Sequence, residues 1–90
     1  MDRIEEPIKI LSAAAVGPSG AQVTKVDVGG QVAYVRENVK NGQNILELSA
    51  PEESWAKIAA IIILEDDRKR EIHRNPDFTS EWAEKVLLEA

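Results

Sequence analysis

From Ile58 to Leu64 the chain is apolar without a break, and from Glu65 to Glu71 every residue is charged. A segment that changes character so abruptly cannot spread both properties over one amphipathic face, so its two halves must sit in different surroundings. Upstream, Ser49 is followed three residues later by Glu52, a capping-box pattern, with Pro51 in the first turn where its missing N–H costs nothing. The four isoleucines of the apolar run also suit a buried strand. The Ala59-Ala60 pair, the capping box and the lack of a turn residue between Trp55 and Arg74 favour a helix.

The spacing therefore predicts one long helix, wedged among neighbours in its first half and projecting into solvent in its second. On that projecting half Glu65 faces Lys69 and Asp66 faces Arg70 at i to i+4 spacing. Asn75-Pro76 ends the helix, because the residue before proline is pushed out of the α region. Thr79 or Ser80 then caps a final helix, "EWAEKVLLEA", expected to fold back on the long helix and bring Phe78 and Trp82 toward Ile72.

At the other end, Ile4, Ile8, Leu11 and Ala15 recur at intervals of four, three and four, which predicts a helix starting near Glu5 or Glu6 and stopping at Gly17-Pro18. The middle third reads as β. "AQVTKVDV" and "QVAYVREN" flank Gly29-Gly30, and "QNILELSA" follows Asn41-Gly42, both favoured hairpin turns. A loop of Gly29 to Gln31 sets Val28 opposite Val32 and Val26 opposite Tyr34, giving one coherent apolar face, and is preferred to a strict two-residue loop. Ile45 then breaks the alternation of Leu46 and Leu48, and a bulge near Arg36 to Val39 would explain it. The expected fold is α+β: a three-stranded antiparallel sheet packed on helices in the order α-β-β-β-α-α, with residues 1–90 as one domain.

Eleven basic and sixteen acidic side chains give a net charge of -5, which disfavours loose attraction to phosphate backbones and suits a basic partner surface. There is no cysteine, so disulfides, thiolate nucleophiles and cysteine zinc sites are excluded. The start "MDRIEEP" does not read as a secretory signal and no apolar run is long enough to span a membrane, so a cytoplasmic setting is expected.

Gly17-Pro18-Ser19-Gly20 has the G-x-x-G spacing of KH-type RNA clamps, but no basic residue lies within four positions and it reads as a turn. The expected order of elements resembles that of double-stranded-RNA-binding domains. Where such domains place phosphate-seeking lysines this chain has Pro51-Glu52-Glu53, whose carboxylates would repel the ligand. Arg68, Lys69, Arg70 and Arg74 form a basic cluster interrupted by acids, the pattern of a solvated face. His73 stands alone without metal-ligand spacing, the serines have no base partner, and adjacent Asp66 and Asp67 point about 100° apart on a helix. No catalytic residue, metal site or cofactor is expected, and the chain is not expected to be an enzyme.

What remains is a small acidic protein-binding module, regulatory or inhibitory, for a protein partner with a basic surface, with no direct nucleic-acid or membrane binding. By analogy of type it is similar to small phage-encoded anti-CRISPR inhibitors that block a basic nucleic-acid groove. The alternatives are a nucleic-acid-binding module using Arg68 to Arg74, or an accessory subunit of an enzyme complex. The expected contact residues are Glu65, Asp66, Asp67, Glu71 and Asp77 on the outer helix and adjoining turn, with the sheet face around Lys25, Asp27, Glu37 and Glu47 as the alternative location. Charge alone predicts that the chain binds duplex DNA or RNA weakly. A fluorescence titration near physiological salt checks this, and submicromolar affinity with a steep salt slope would contradict it.

Overall fold

The computed structural model describes residues 8–17 and 20–89. Four strands run first: β1 (Ile8–Val16), β2 (Ala21–Val28), β3 (Gln31–Lys40) and β4 (Gln43–Ser49). A 3-10 turn (Glu52–Ser54) leads into helix α1 (Trp55–Glu65), then strand β5 (Glu71–His73) and helix α2 (Ser80–Glu89). The strands form one sheet in the order β1-β2-β3-β4-β5, antiparallel except that β5 runs parallel to β4. The three-stranded sheet in α-β-β-β-α-α order is thus replaced by a five-stranded mixed sheet with two helices.

Two tight turns organise the meander. Gly29 and Gly30 have φ of 62° and 91°, and Asn41 and Gly42 have φ of 54° and 77°, the positive values a twist-matched two-residue hairpin demands. The Asp27 Oδ1 accepts a hydrogen bond from the Gly30 N–H at 2.8 Å, securing the first turn. Val28 consequently pairs with Gln31 and Val26 with Ala33, so the three-residue loop with Val28 opposite Val32 does not form. That register suits a sheet with one apolar face, whereas this sheet buries both.

Strand parity divides the side chains between two cores. Val26, Val28, Ala33, Leu46 and Leu48 pack under Ile58, Ala59 and Ile62 of α1, while Val23 and Tyr34 pack with Phe78 and Ala83 near α2 on the opposite face. Ile45, 2% exposed, belongs to the α2 face. Its departure from the Leu46/Leu48 alternation therefore needs no bulge, and β3 and β4 pair without a register shift from Tyr34–Ser49 to Lys40–Gln43. The bulge lies in β1 instead, between Ile10 and Ser12.

That bulge accounts for the missing N-terminal helix. Ile8 and Ile10 pair with Val28 and Val26 on the α1 side, and after the extra residue Leu11, Ala14 and Val16 pair with Val23 and Ala21 on the α2 side. An interrupted period of two imitates helical spacing, and the β2 ladder overrides the helical preference of Ala13-Ala14-Ala15. Gly17 and Gly20 close a strand-to-strand turn, with the Gly20 N–H donating to the Gly17 carbonyl at 3.1 Å. The expected helix start near Glu5 or Glu6 and the Pro18-Ser19 step lie outside the described residues.

The apolar run is helical, as expected, but the helix stops at Glu65. Ser49 is the last residue of β4 and its hydroxyl meets that of Ser80 at 2.8 Å, so the Ser49–Glu52 capping box does not form. The helix is instead anchored by Trp55, whose Nε1–H donates to the Leu48 carbonyl at 2.9 Å. At its other end Asp66 turns extended, with φ -82° and ψ 115°, and the charged run becomes the connection that returns the chain to β5. A crossover of this kind is what a parallel neighbour to β4 requires. α2 is capped by Thr79, whose hydroxyl accepts from the Trp82 N–H at 3.1 Å. It lies across the sheet from α1 rather than packed against it. Among the described residues no helix is long and apolar enough to cross a membrane.

Ile62 is 7% exposed beneath α1, whereas Asp67 is exposed in the connection. Ile62→Asp should abolish cooperative folding, since an unpaired buried charge costs several kcal/mol, and Asp67→Ala should stay within about 0.5 kcal/mol of wild type. Thermal melts of the two variants check this, and similar melting temperatures would contradict the placement.

Candidate functional site

α1 lies closest to β4 and β5 but shares its core with Val26 and Val28 of β2 and Ala33 of β3, while α2 lies closest to β1, β2 and β3 on the opposite face. On the α1 side a groove of about 190 Å³ opens between α1 and β1. Ile8, Ile10, Val26, Val35, Leu46 and Ile62 make it apolar, and Glu37, Glu65, Asp66 and Arg70 stand at its charged end.

The charges at that end differ in availability. The Arg70 guanidinium donates to Asp66 at 2.9 and 3.3 Å and lies 3.4 Å from Glu37, and its own backbone N–H also donates to Asp66, at 2.6 Å. The Arg70 hydrogen bonds hold the Asp66 carboxyl below its ordinary value, and the same bonds raise the pKa of Arg70 further. Asp66 is thus consumed in folding the connection, with a side chain 6% exposed. Glu37 and Glu65 remain as the solvent-facing acids of the rim.

Of the other expected contact residues, Asp67 is exposed in the same connection. Glu71 is exposed on β5, with an oxygen 3.0 Å from His73 Nε2. Asp77 lies past the other end of β5, in the segment leading to α2. The projecting helix that was to carry these side chains does not exist, and the i to i+4 pairing of Asp66 with Arg70 spans a turn instead. The basic cluster is also partly committed. Arg74 Nη1 donates to both oxygens of Glu52 at 2.7 and 2.9 Å, and its guanidinium lies 4.4 Å from the centre of the Trp55 ring.

A second polar assembly lies on the α2 side. Glu47, 4% exposed, accepts hydrogen bonds from Arg36 Nε at 2.5 Å, Asn75 Nδ2 at 2.8 Å and Asn38 Nδ2 at 3.3 Å. The Arg36 guanidinium lies 4.8 Å from the Phe78 ring centre and 5.4 Å from that of Trp82. Burial alone would raise the Glu47 carboxyl, but the Asn75, Arg36 and Asn38 bonds and the Arg36 charge outweigh it and hold it below its usual range. Beside this, the Tyr34 hydroxyl donates to Glu84, which also meets Lys25 Nζ at 3.1 Å. Burial, with the Glu84 bond and charge, pushes the Tyr34 hydroxyl up to about 12, so it stays protonated.

Sequence reasoning put Lys25 and Glu47 on an exposed sheet face. α2 and its leading segment cover that face, and only the sheet's second buried side explains why a carboxylate stands within "ILEL". Glu37 lies on the α1 face opposite Leu46. Groove residues contributed by β1 could not be found from a pattern that read as helix. Chemically, the groove offers apolar contact and negative charge. Among the described residues no group of three His, Asp or Glu side chains is placed to hold a metal.

In comparisons with known proteins, no family model matches the chain, and no curated protein or solved structure matches it.

The lowered carboxyls determine an acid response. A group whose folded pKa is depressed contributes stability that is complete above its unfolded value and lost as pH falls through the folded one. Glu47 and Asp66, ordinarily near 4.5 and 3.8, should therefore make stability decline below pH 4.5 and not between neutrality and that point. Glu47→Ala should cost roughly 3 kcal/mol at neutral pH, the lower end for breaking a buried pair because Arg36 retains some solvent access. The variant should also show a flatter acid limb. Denaturant melts at neutral and acidic pH measure both, and equal slopes in the two proteins would contradict the assignment.

Proposed function

We propose that the chain is a non-catalytic protein-binding module, regulatory or inhibitory in role, whose α1-side groove receives an aliphatic segment of a partner flanked by Lys or Arg. The observation that carries this reading is the groove itself: an opening between α1 and β1 with a largely apolar lining, where Glu65 and the Arg70-paired Glu37 are the solvent-facing acids. Ile10 in its lining is 67% exposed, and α1 also displays Ile63 and Leu64 at 43% and 77%. Apolar patches rimmed by polar residues are characteristic of interaction sites. The net charge of -5 adds a long-range attraction for a basic partner.

Two further considerations support a protein partner over nucleic acid. Arg70 and Arg74 are tied to Asp66 and Glu52, so the Arg68 to Arg74 cluster presents less free charge than its composition suggests. The groove is also apolar, whereas phosphate tracking needs cations.

Short peptides alternating Leu with Lys, and the same peptides with Glu in place of Lys, provide the test by fluorescence anisotropy at two salt concentrations. The lysine peptides should bind and the glutamate peptides should not. Joint Glu37→Lys and Glu65→Lys substitution should slow association about tenfold at low salt, because rim charges act mainly on the association rate. Equal binding of both peptide sets, or an unchanged rate in a variant with an intact circular dichroism spectrum, would overturn the reading.

A further inference from the structure

Among the described residues β1 has one strand neighbour, β2, and its other side is a free sheet edge nine residues long. The opposite edge, β5, has three residues, of which Glu71 and His73 are ionisable. β1 lacks such protection. It contains no proline and a single charged residue, Lys9, while Ile10 and Leu11 are 67% and 46% exposed. A long apolar edge presents a row of unpaired N–H and C=O groups to any strand that fits it.

The bulge makes β1 fit itself. Ile8, Ile10, Ala13 and Ala15 pair with Val28, Val26, Thr24 and Gln22, so all four face the α1 side. In an unbroken strand Ile8 and Ile10 would face away from Ala13 and Ala15. When two copies of a sheet join edge to edge about a twofold axis perpendicular to it, directly opposed residues share a face. An axis between Leu11 and Ser12 then sets Ile8 opposite Ala15 of the partner subunit and Ile10 opposite Ala13 of the partner subunit. Large side chains meet small ones throughout. Lys9 falls opposite Ala14 of the partner subunit, so the two lysines do not oppose each other.

We propose that β1 pairs antiparallel with β1 of a second copy in this register, joining the two sheets into one. Ile8 and Ile10 line the groove, so the partner strand continues the groove's apolar floor across the twofold axis. The bulge, elsewhere a device that spoils an edge, here supplies the parity change that this register requires.

Sedimentation velocity over a wide concentration range tests the association without any peptide, so its outcome is independent of groove binding. Wild type should approach twice the chain mass, and Ile10→Lys, at an exposed position, should remain at the single mass with an unchanged circular dichroism spectrum. The absence of native cysteine allows the register to be trapped. Ile10→Cys protein mixed with Ala13→Cys protein should form a disulfide-linked heterodimer on mild oxidation, and Ile8→Cys mixed with Ala13→Cys should not. A wild-type protein at the single mass at every concentration, or cross-linking indifferent to the pairing of positions, would overturn the proposal.

Discussion

The β3–β4 ladder bears both cores, because alternate residues along it are buried on opposite sides. Ala33, Val35, Leu46 and Leu48 lie under α1, while Tyr34, Arg36, Ile45 and Glu47 lie under α2 and the segment before it. A strand that must satisfy two cores tolerates no slip of one residue, since every side chain would change face. The tight Asn41-Gly42 turn holds this ladder in register, as the Gly29-Gly30 turn holds the β2–β3 ladder. The placement of the helices on opposite faces follows from it, and the groove opens where α1 stands apart from β1.

Charge in this protein is divided between structural and free groups. Glu47 is buried with three donors, and Asp66 folds the return to β5 by accepting from both the guanidinium and the backbone of Arg70. Removing one partner of such a set leaves a desolvated charge behind, which is why these pairs restrain the fold even where their net contribution is small. Once they are set aside, the acids available at the groove are few and local.

Legibility tracked the range of the interaction involved. Turns governed by positive φ at glycine and asparagine were read correctly as turns, and Thr79 was identified among the candidate caps of α2, because each depends on a few neighbouring residues. The apolar run was read correctly as helix. Its length was overestimated because nothing in a seven-residue charged run reveals that one aspartate will close a turn on Arg70. β1 carries a helical pattern although it is a strand. Its bulge erased the period of two, and its alanines prefer a helix until a ladder partner is supplied. Glu37 and Glu65 carry no local mark that distinguishes them from the other acids.

By itself, the sequence determined that the chain is acidic, has no thiol chemistry, turns at Gly29-Gly30 and Asn41-Gly42, and makes a helix of its apolar run, though not that Ile63 and Leu64 on that helix stay exposed. These are properties of composition and of contacts a few residues long. Tertiary structure alone decided that the sheet has five strands, that α2 crosses to its other face, that Glu47 is buried and paired, and that a groove opens beside β1. Each of those depends on which distant residue stands opposite, as Arg36 does to Glu47 and Val26 to Ile10. Such pairings are chosen by the burial of the whole sheet and not by any stretch of chain that forms it.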